Sequence, residues 1–329
     1  MERFTKFLRQ RAASTFLVFV GLVIIFSLFS PRHVFINVRN IAALGKLFPD
    51  LGVVALGVGM LMICGEFDLS VASVLPFCAY IFARSLYVGI APFWGMVLAI
   101  LVGCGLGWIN GFLTVKTRMP SFITTLGTMM FWRGFTILLS GGEQTACDVS
   151  ALETPAASYF LSFFNGQIGG ILPAQFFWFA LFAVVLGVLL HYHRFGNWVY
   201  ATGDNRDAAR AMGINTDWVK TLCFVIVGAL CGFVACAQIG RLACFTSRTG
   251  DGWELKAVAA SVVGGTSLRG GMGNMLGIFL GATTISVIEN GLVVLRIPYF
   301  WTYVFFGLVI LFSVLSSMYI ERKQREMHR

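Results

Sequence analysis

Few residues in this chain are equipped for chemistry, and they fall into four groups. The first is GDNRDAARAMGI at 203–214, a charged, helix-forming run between strongly apolar stretches. Asp204 suits an N-cap, and Asp207 falls in the first turn, where a carboxylate meets the positive end of a helix. Ala208, Ala209 and Ala211 favour the helix and Gly213 can end it. The pattern predicts a two-turn helix whose small side chains let a partner's surface approach the backbone. An ordinary capped helix in a connecting loop fits the same letters.

The second group is AVAASVVGGTSLRGGMG at 257–273, where Gly264, Gly265, Gly270 and Gly271 crowd a short interval. It reads as a broken helix and a structural turn, since irregular backbone at membrane depth must be buried or line a wet cavity. A plain packing turn is the alternative. The phosphate-binding pattern GxxxxGK[ST] is absent, so no ATP hydrolysis is expected on this chain.

The third group, GEFDLSVAS at 65–73, carries Glu66 and Asp68; Asp68 or Ser70 can cap the helix that follows, and acidic groups near membrane depth also mark function. The fourth, FITTLGTMMFWRG at 122–134, offers Thr124, Thr125 and Thr128, together with a deep Arg133 that needs an aromatic face, a carbonyl or a carboxylate. Asn110, Glu289 and Asn290 are further polar groups within apolar runs, fit to line a passage or to bond between helices.

The elements that must hold these groups are set by composition. The chain has 329 residues, 57% hydrophobic and 12% charged, with a mean hydropathy of +0.81. Soluble domains carry about 25% charged residues, and a spanning helix needs roughly 20 apolar ones. The expectation is an all-α polytopic membrane protein of about ten transmembrane helices forming a single domain, 1–329. The spans fall at about 13–30, 46–64, 71–90, 92–115, 121–140, 174–191, 219–239, 256–268, 274–294 and 298–318; the eighth is short or re-entrant. The basic head and apolar run of 1–29 lack a small-residue cleavage site and read as a retained first span.

The net charge is +9, and basic residues gather at span ends, which places the tails 1–12 and 319–329 and the loop 192–218 in the cytoplasm. The loop 141–173, without Lys or Arg, lies outside. No basic surface interleaved with aromatics suggests nucleic acid. The eight Cys and four His show no metal spacing. Cys147 and Cys244 fall on the outer side, where one disulfide is conceivable. INGFL at 109–113 echoes ENGLV at 289–293, which fits an inverted repeat of spans 2–5 and 7–10.

Together these four segments resemble the ribose/xylose-type monosaccharide permeases of bacterial ATP-binding-cassette importers, over roughly 17–316. Asp207-Ala208-Ala209 followed by Gly213 also looks like a variant of the broader importer loop E-A-A-x-x-x-G. At 66–68 the family leads one to expect a Gly-Ile-Asp-like reading, whereas this chain has Glu66-Phe67-Asp68, a departure that bears on substrate rather than on family.

The resemblance implies an inner-membrane subunit paired with a second copy or paralogue. A cytoplasmic ATP-binding-cassette ATPase would hold ATP and Mg, a periplasmic sugar-binding protein would deliver substrate, and this chain would carry no cofactor of its own. Asp204, Arg206, Asp207, Ala208, Ala209, Met212 and Gly213 are the expected ATPase-coupling residues between spans 6 and 7. Asp68, Asn110, Thr124, Thr125, Glu289 and Asn290 are the expected substrate-pathway residues. A permease of the same superfamily for a nucleoside or branched-chain amino acid, an ion-coupled secondary transporter using Glu289, and a membrane-embedded enzyme are the rival readings. The last lacks a Ser–His or paired-Asp arrangement inside the spans.

Overall fold

The computed structural model describes residues 11–169, 172–298 and 300–308, together with 311 and 315. The chain is a helical bundle. Its main helices are α1 (Arg11–Phe29), α2 (Val38–Ile63), α3 (Val71–Tyr87), α4 (Pro92–Thr117) and α5 (Ser121–Ser140). There follow α6 (Pro155–Asn165), α7 (Ala174–Tyr192), α8 (Arg194–Asp204), α9 (Arg206–Ala211), α10 (Thr216–Leu242), α11 (Trp253–Val263) and α12 (Met275–Val294). Residues 300–308 are also helical; 299, 309, 310, 312–314 and 316–318 of the tenth expected span lie outside the described residues. Among the described residues, six helices (α2, α4, α5, α7, α10 and α12) are long and apolar enough to cross a membrane, and α1 and α3 contain shorter apolar stretches.

Two helices form the centre. From Pro49 to Ile63 every residue of α2 is buried, packed among α7, α10, α11 and α12. The other central helix, α10, packs most closely on α4. Gly103, Gly107 and Gly111 recur every fourth residue along α4 and face Gly228, Phe224 and Thr221 of α10; a methyl group added at Gly103 would lie 2.1 Å from the Gly228 carbonyl oxygen. In lipid, where apolar side chains gain little by leaving their solvent, such backbone-to-backbone contact is a main source of helix association.

Several boundaries differ from the sequence reading. The second long helix begins at Val38 rather than near 46, because the Asn37 side chain accepts the Arg39 amide at 3.0 Å and caps it, leaving Pro49 inside the helix. Residues 141–169 and 172–173 are structured: Thr154 caps α6 with Pro155 in its first turn, and Phe160 and Phe164 of α6 are fully buried. Strand β1 (Thr145–Ala146) pairs antiparallel with β4 (Cys244–Phe245), and β2 (Gln167–Ile168) pairs with β3 (Leu172–Pro173). Cys147 and Cys244 are both free thiols. The eighth expected span is the 11-residue α11; at 1.5 Å per residue it covers roughly 16 Å, about half the hydrocarbon thickness.

Candidate functional site

The segment between α7 and α10 folds as two helices where the sequence suggested one. Asp204 is not the cap but the last residue of α8; Asn205, in extended backbone, takes the cap role by accepting the Ala208 amide at 3.0 Å. Met212 and Gly213 close α9 with bonds back to Ala208 and Arg210, and Gly213 adopts φ +84, a conformation that side chains resist. Asp217, in the first turn of α10, holds Arg206 at 2.7 Å and Arg210 at 2.5 Å, and the Arg210 Nε donates to Thr216 at 2.9 Å. The expected coupling residues therefore divide. Ala209 is buried and Arg206 turns inward to Asp217, whereas Asp204, Asp207, Ala208, Met212 and Gly213 are exposed, Met212 at 74%.

Behind this knob lies a backbone junction. Gly203 in α8 sits against the end of α2 and against the turn at 264–273: a Cβ there would be 1.9 Å from the Ile63 carbonyl oxygen and 2.7 Å from the Gly271 nitrogen. The Gly271 amide donates to the Ile63 carbonyl at 2.8 Å, and the Tyr200 hydroxyl donates to the Gly273 carbonyl at 2.7 Å. Gly270 approaches both Gly65 and Gly203. Gly264 ends α11, and Gly265 bonds back to Val262. The four glycines singled out in this turn thus belong to a joint where α2, α8 and the connection from α11 to α12 meet.

The non-helical stretch from Gly65 to Ser70 is the second feature. Two of its amides find partners on α5: Phe67 donates to Ser121 Oγ at 2.9 Å and Leu69 to Thr125 Oγ1 at 3.1 Å. Asp68 accepts both the amide (2.8 Å) and the hydroxyl (2.6 Å) of Ser70, and Asn110 Nδ2 donates to the Ser70 hydroxyl at 2.7 Å. Glu66 pairs with Lys220 of α10. Asp68, Asn110 and Thr125 are thereby joined in one buried network, with Thr124 beside it, also buried. Unwound backbone away from water requires such partners.

Glu289 and Asn290 lie elsewhere, on α12. Glu289 pairs with Lys256 of α11 at 2.7 Å, and Asn290 exchanges hydrogen bonds with Asn40 of α2 at 2.9 and 3.1 Å. Both line a groove of about 300 Å³, with Trp253, Lys256 and Ser286 beside them and Leu47 and Phe48 opposite. The expected pathway residues are therefore in two places, one sealed and one open.

Arg133 receives the partners its depth demanded: the Ser247 and Ala72 carbonyls at 2.6 and 2.5 Å, and the Asp251 carboxylate at 2.6 Å. Asp50 of α2 pairs with Arg241 of α10 at 2.6 Å. Sequence reasoning passed over Asp50, Arg241, Lys220, Lys256, Asp217 and Trp253. A signal was present for the first four: opposite charges set in or beside separate apolar runs, where each needs a partner. A larger cavity, about 610 Å³, opens at the end of the bundle away from α9, lined by Tyr80, Arg84, Tyr87, Asp148, Leu152 and Phe245 among others.

The chain is 36% identical over 284 residues to an autoinducer 2 import system permease protein of Yersinia enterocolitica, an alignment covering 84% of this chain and 75% of that one. It is 33% identical over 311 residues to a xylose/arabinose import permease protein of Sulfolobus acidocaldarius, covering 91% and 83%. An autoinducer 2 import system permease protein of Yersinia pseudotuberculosis is 36% identical over 264 residues, covering 78% and 71%. No solved structure matches. The family described as branched-chain amino acid transport system / permease component matches residues 40–314, most of the bundle, and the chain belongs to that family of membrane permeases.

Proposed function

We propose that this chain is the membrane subunit of an ATP-binding-cassette importer that moves a monosaccharide inward by alternating access. Two of its relatives are named for import of autoinducer 2 and of xylose and arabinose. The motifs at 203–214 and 257–273 point to the sugar branch. ATP and Mg would be bound by a separate cytoplasmic ATPase, sugar would arrive on a periplasmic binding protein, and two permease copies or paralogues would enclose the passage. The ten-span plan with both termini in the cytoplasm, and the inverted repeat of spans 2–5 and 7–10, belong to this proposal.

The observation that carries the reading is the mechanical continuity from α9 to α2. The knob exposes Met212 and Gly213 outward, Asp217 locks it to α10, and Gly203 bears on the Ile63 carbonyl at the end of the central helix. A push on α9 reaches the bundle core through backbone contacts that leave no slack. For ATP to drive transport, the ATPase must grip one permease state better than the other, because equal affinity shifts nothing. Sugar is neutral and polar, so the passage needs hydroxyl, amide and balanced charge rather than a lone ion.

The test is assembly. Gly213→Trp places a bulky group on the exposed side of α9 at a φ that disfavours side chains. Co-purification with the ATPase should fall at least tenfold while the permease stays folded. Undiminished assembly overturns the coupling assignment.

A further inference from the structure

We infer that the groove between α2, α11 and α12 is the sugar-binding subsite of the passage, with Trp253 as its platform and Lys256, Glu289 and Asn290 as its hydrogen-bonding wall; this rests on the monosaccharide reading above. The groove is about 300 Å³, room for one sugar ring and a few waters, and it is open to the outside of this subunit. Its chemistry is unusual for a surface at membrane depth. Glu289 is the fifteenth residue of the 20-residue apolar helix α12, yet its side chain is 29% exposed and that of its partner Lys256 is 11% exposed.

Lys256 Nζ lies over the Phe306 ring, 5.4 Å from its centroid, and Glu289 is the more exposed half of the pair. Hydrocarbon does not tolerate an open carboxylate, so this face must meet water, and the passage between subunits is where a spanning helix meets it. The neighbouring surface is suited to lipid or to a second copy: Leu47 and Val293, on the rim, are exposed and apolar.

The polar set matches a polyhydroxyl ligand. An indole face packs against the C–H side of a pyranose or furanose ring. A carboxylate beside an ammonium offers an acceptor and a donor to adjacent hydroxyls, and the pair as a whole adds no net charge that would hold a neutral solute too tightly to release. Asn290 contributes donor and acceptor together, and Ser286 a hydroxyl. Asn40, which exchanges two hydrogen bonds with Asn290, fixes the amide in place before sugar arrives. The network of Asp68, Asn110 and Thr125 is buried and bonded to its own backbone neighbours, so it has the features of a support.

The experiment uses cells expressing the full importer, with D-xylose and D-ribose as probes. In the first arm, Leu47→Cys is treated with a charged, membrane-impermeant thiosulfonate against the unmodified chain as background. The expected result is labelling that slows at least fivefold in saturating D-xylose or D-ribose. No labelling means a groove filled with lipid and overturns the subsite; labelling that neither sugar slows also overturns it. In the second arm, uptake is measured for Trp253→Ala, Trp253→Phe and Asn290→Ala. Trp253→Ala and Asn290→Ala should lower uptake at least tenfold and change the xylose-to-ribose ratio, while Trp253→Phe keeps most of the rate and co-purified ATPase is unchanged. Variants that assemble and carry both sugars within twofold of the original overturn the subsite alone. An unmodified importer that accumulates neither these sugars nor other pentoses and hexoses overturns the monosaccharide reading and the subsite with it.

Discussion

A methyl group added at Gly203 would stand 1.9 Å from the Ile63 carbonyl oxygen, a contact with backbone that no rotamer change relieves. Gly203→Ala should therefore lower stability by about 3 kcal/mol or more, the upper range for overpacking, read as a drop in thermal unfolding midpoint of the permease in detergent. Gly105, on the exposed side of α4, meets nothing within 4 Å, and alanine there should be neutral or stabilise by up to about 1 kcal/mol through helix propensity alone. Chemistry at Cys147 depends on its surroundings in the same local way. Burial first, then the Asp148 carboxylate and the neighbouring Cys244, push its thiol up to about 11. Asp148 itself is held below the usual carboxylate range by the hydroxyl and amide of Ser150, so it stays ionised at neutral pH. Cys147 is then almost wholly protonated at pH 8. Alkylation should run on the order of a hundredfold slower than for an ordinary thiol, rise with pH towards about 11, and speed up in Asp148→Asn. Mass spectrometry of the labelled peptide over a pH series measures this.

At the scale of elements, Asp50–Arg241 pins α2 to α10, and Glu66–Lys220 pins the segment just past α2 to the opposite end of α10. Removing one partner strands the other in a poorly solvated site. Asp50→Ala should cost about 3–5 kcal/mol, and adding Arg241→Gln should recover part of it because no lone charge then remains. Equal destabilisation in the single and double variants would mean the two residues act independently. The shorter α9 depends on Asp217, which holds both of its arginines. Asp217→Asn should leave ATPase binding intact but reduce the sugar moved per ATP hydrolysed severalfold, as measured in proteoliposomes.

These element-level features also show what the sequence could and could not convey. Apolar runs and the glycines of 264–273 were legible because each acts within a few residues of itself. The two-helix form of 194–211 was not: Asp204 and Asn205 are both good caps, and in the fold, with Gly203 packed on Ile63, Asp204 ends α8 and Asn205 caps α9. Ion pairs between residues 33 to 191 positions apart were legible as charges in need of partners, but not as particular pairings. Among the pathway residues, type alone could not separate a threonine that satisfies unwound backbone from an asparagine on an open groove.

For the whole molecule the central question is where the energy for uphill movement enters. An ion-coupled carrier needs a carboxylate whose charge alternates during the cycle. Among the described residues, Asp50, Glu66 and Glu289 each face a cation of an adjoining helix, and protonating any of them would leave that cation alone in the membrane at a cost of about 3–5 kcal/mol. Asp68 is different: the hydrogen bonds it accepts come from Ser70, so it is a carboxylate on which an ion-coupled mechanism could rest. The two mechanisms therefore part at this residue. If ATP drives the cycle through α9, Asp68→Asn should keep uphill uptake that depends on the ATPase and ignores uncouplers, with stability lowered by about 1–2 kcal/mol for the altered bonds to Ser70. The unaltered chain, reconstituted without the ATPase, should accumulate no sugar under a proton or sodium gradient. Accumulation by the chain alone, abolished by Asp68→Asn or by Glu289→Gln, would place the coupling inside this subunit and remove the role assigned to α9.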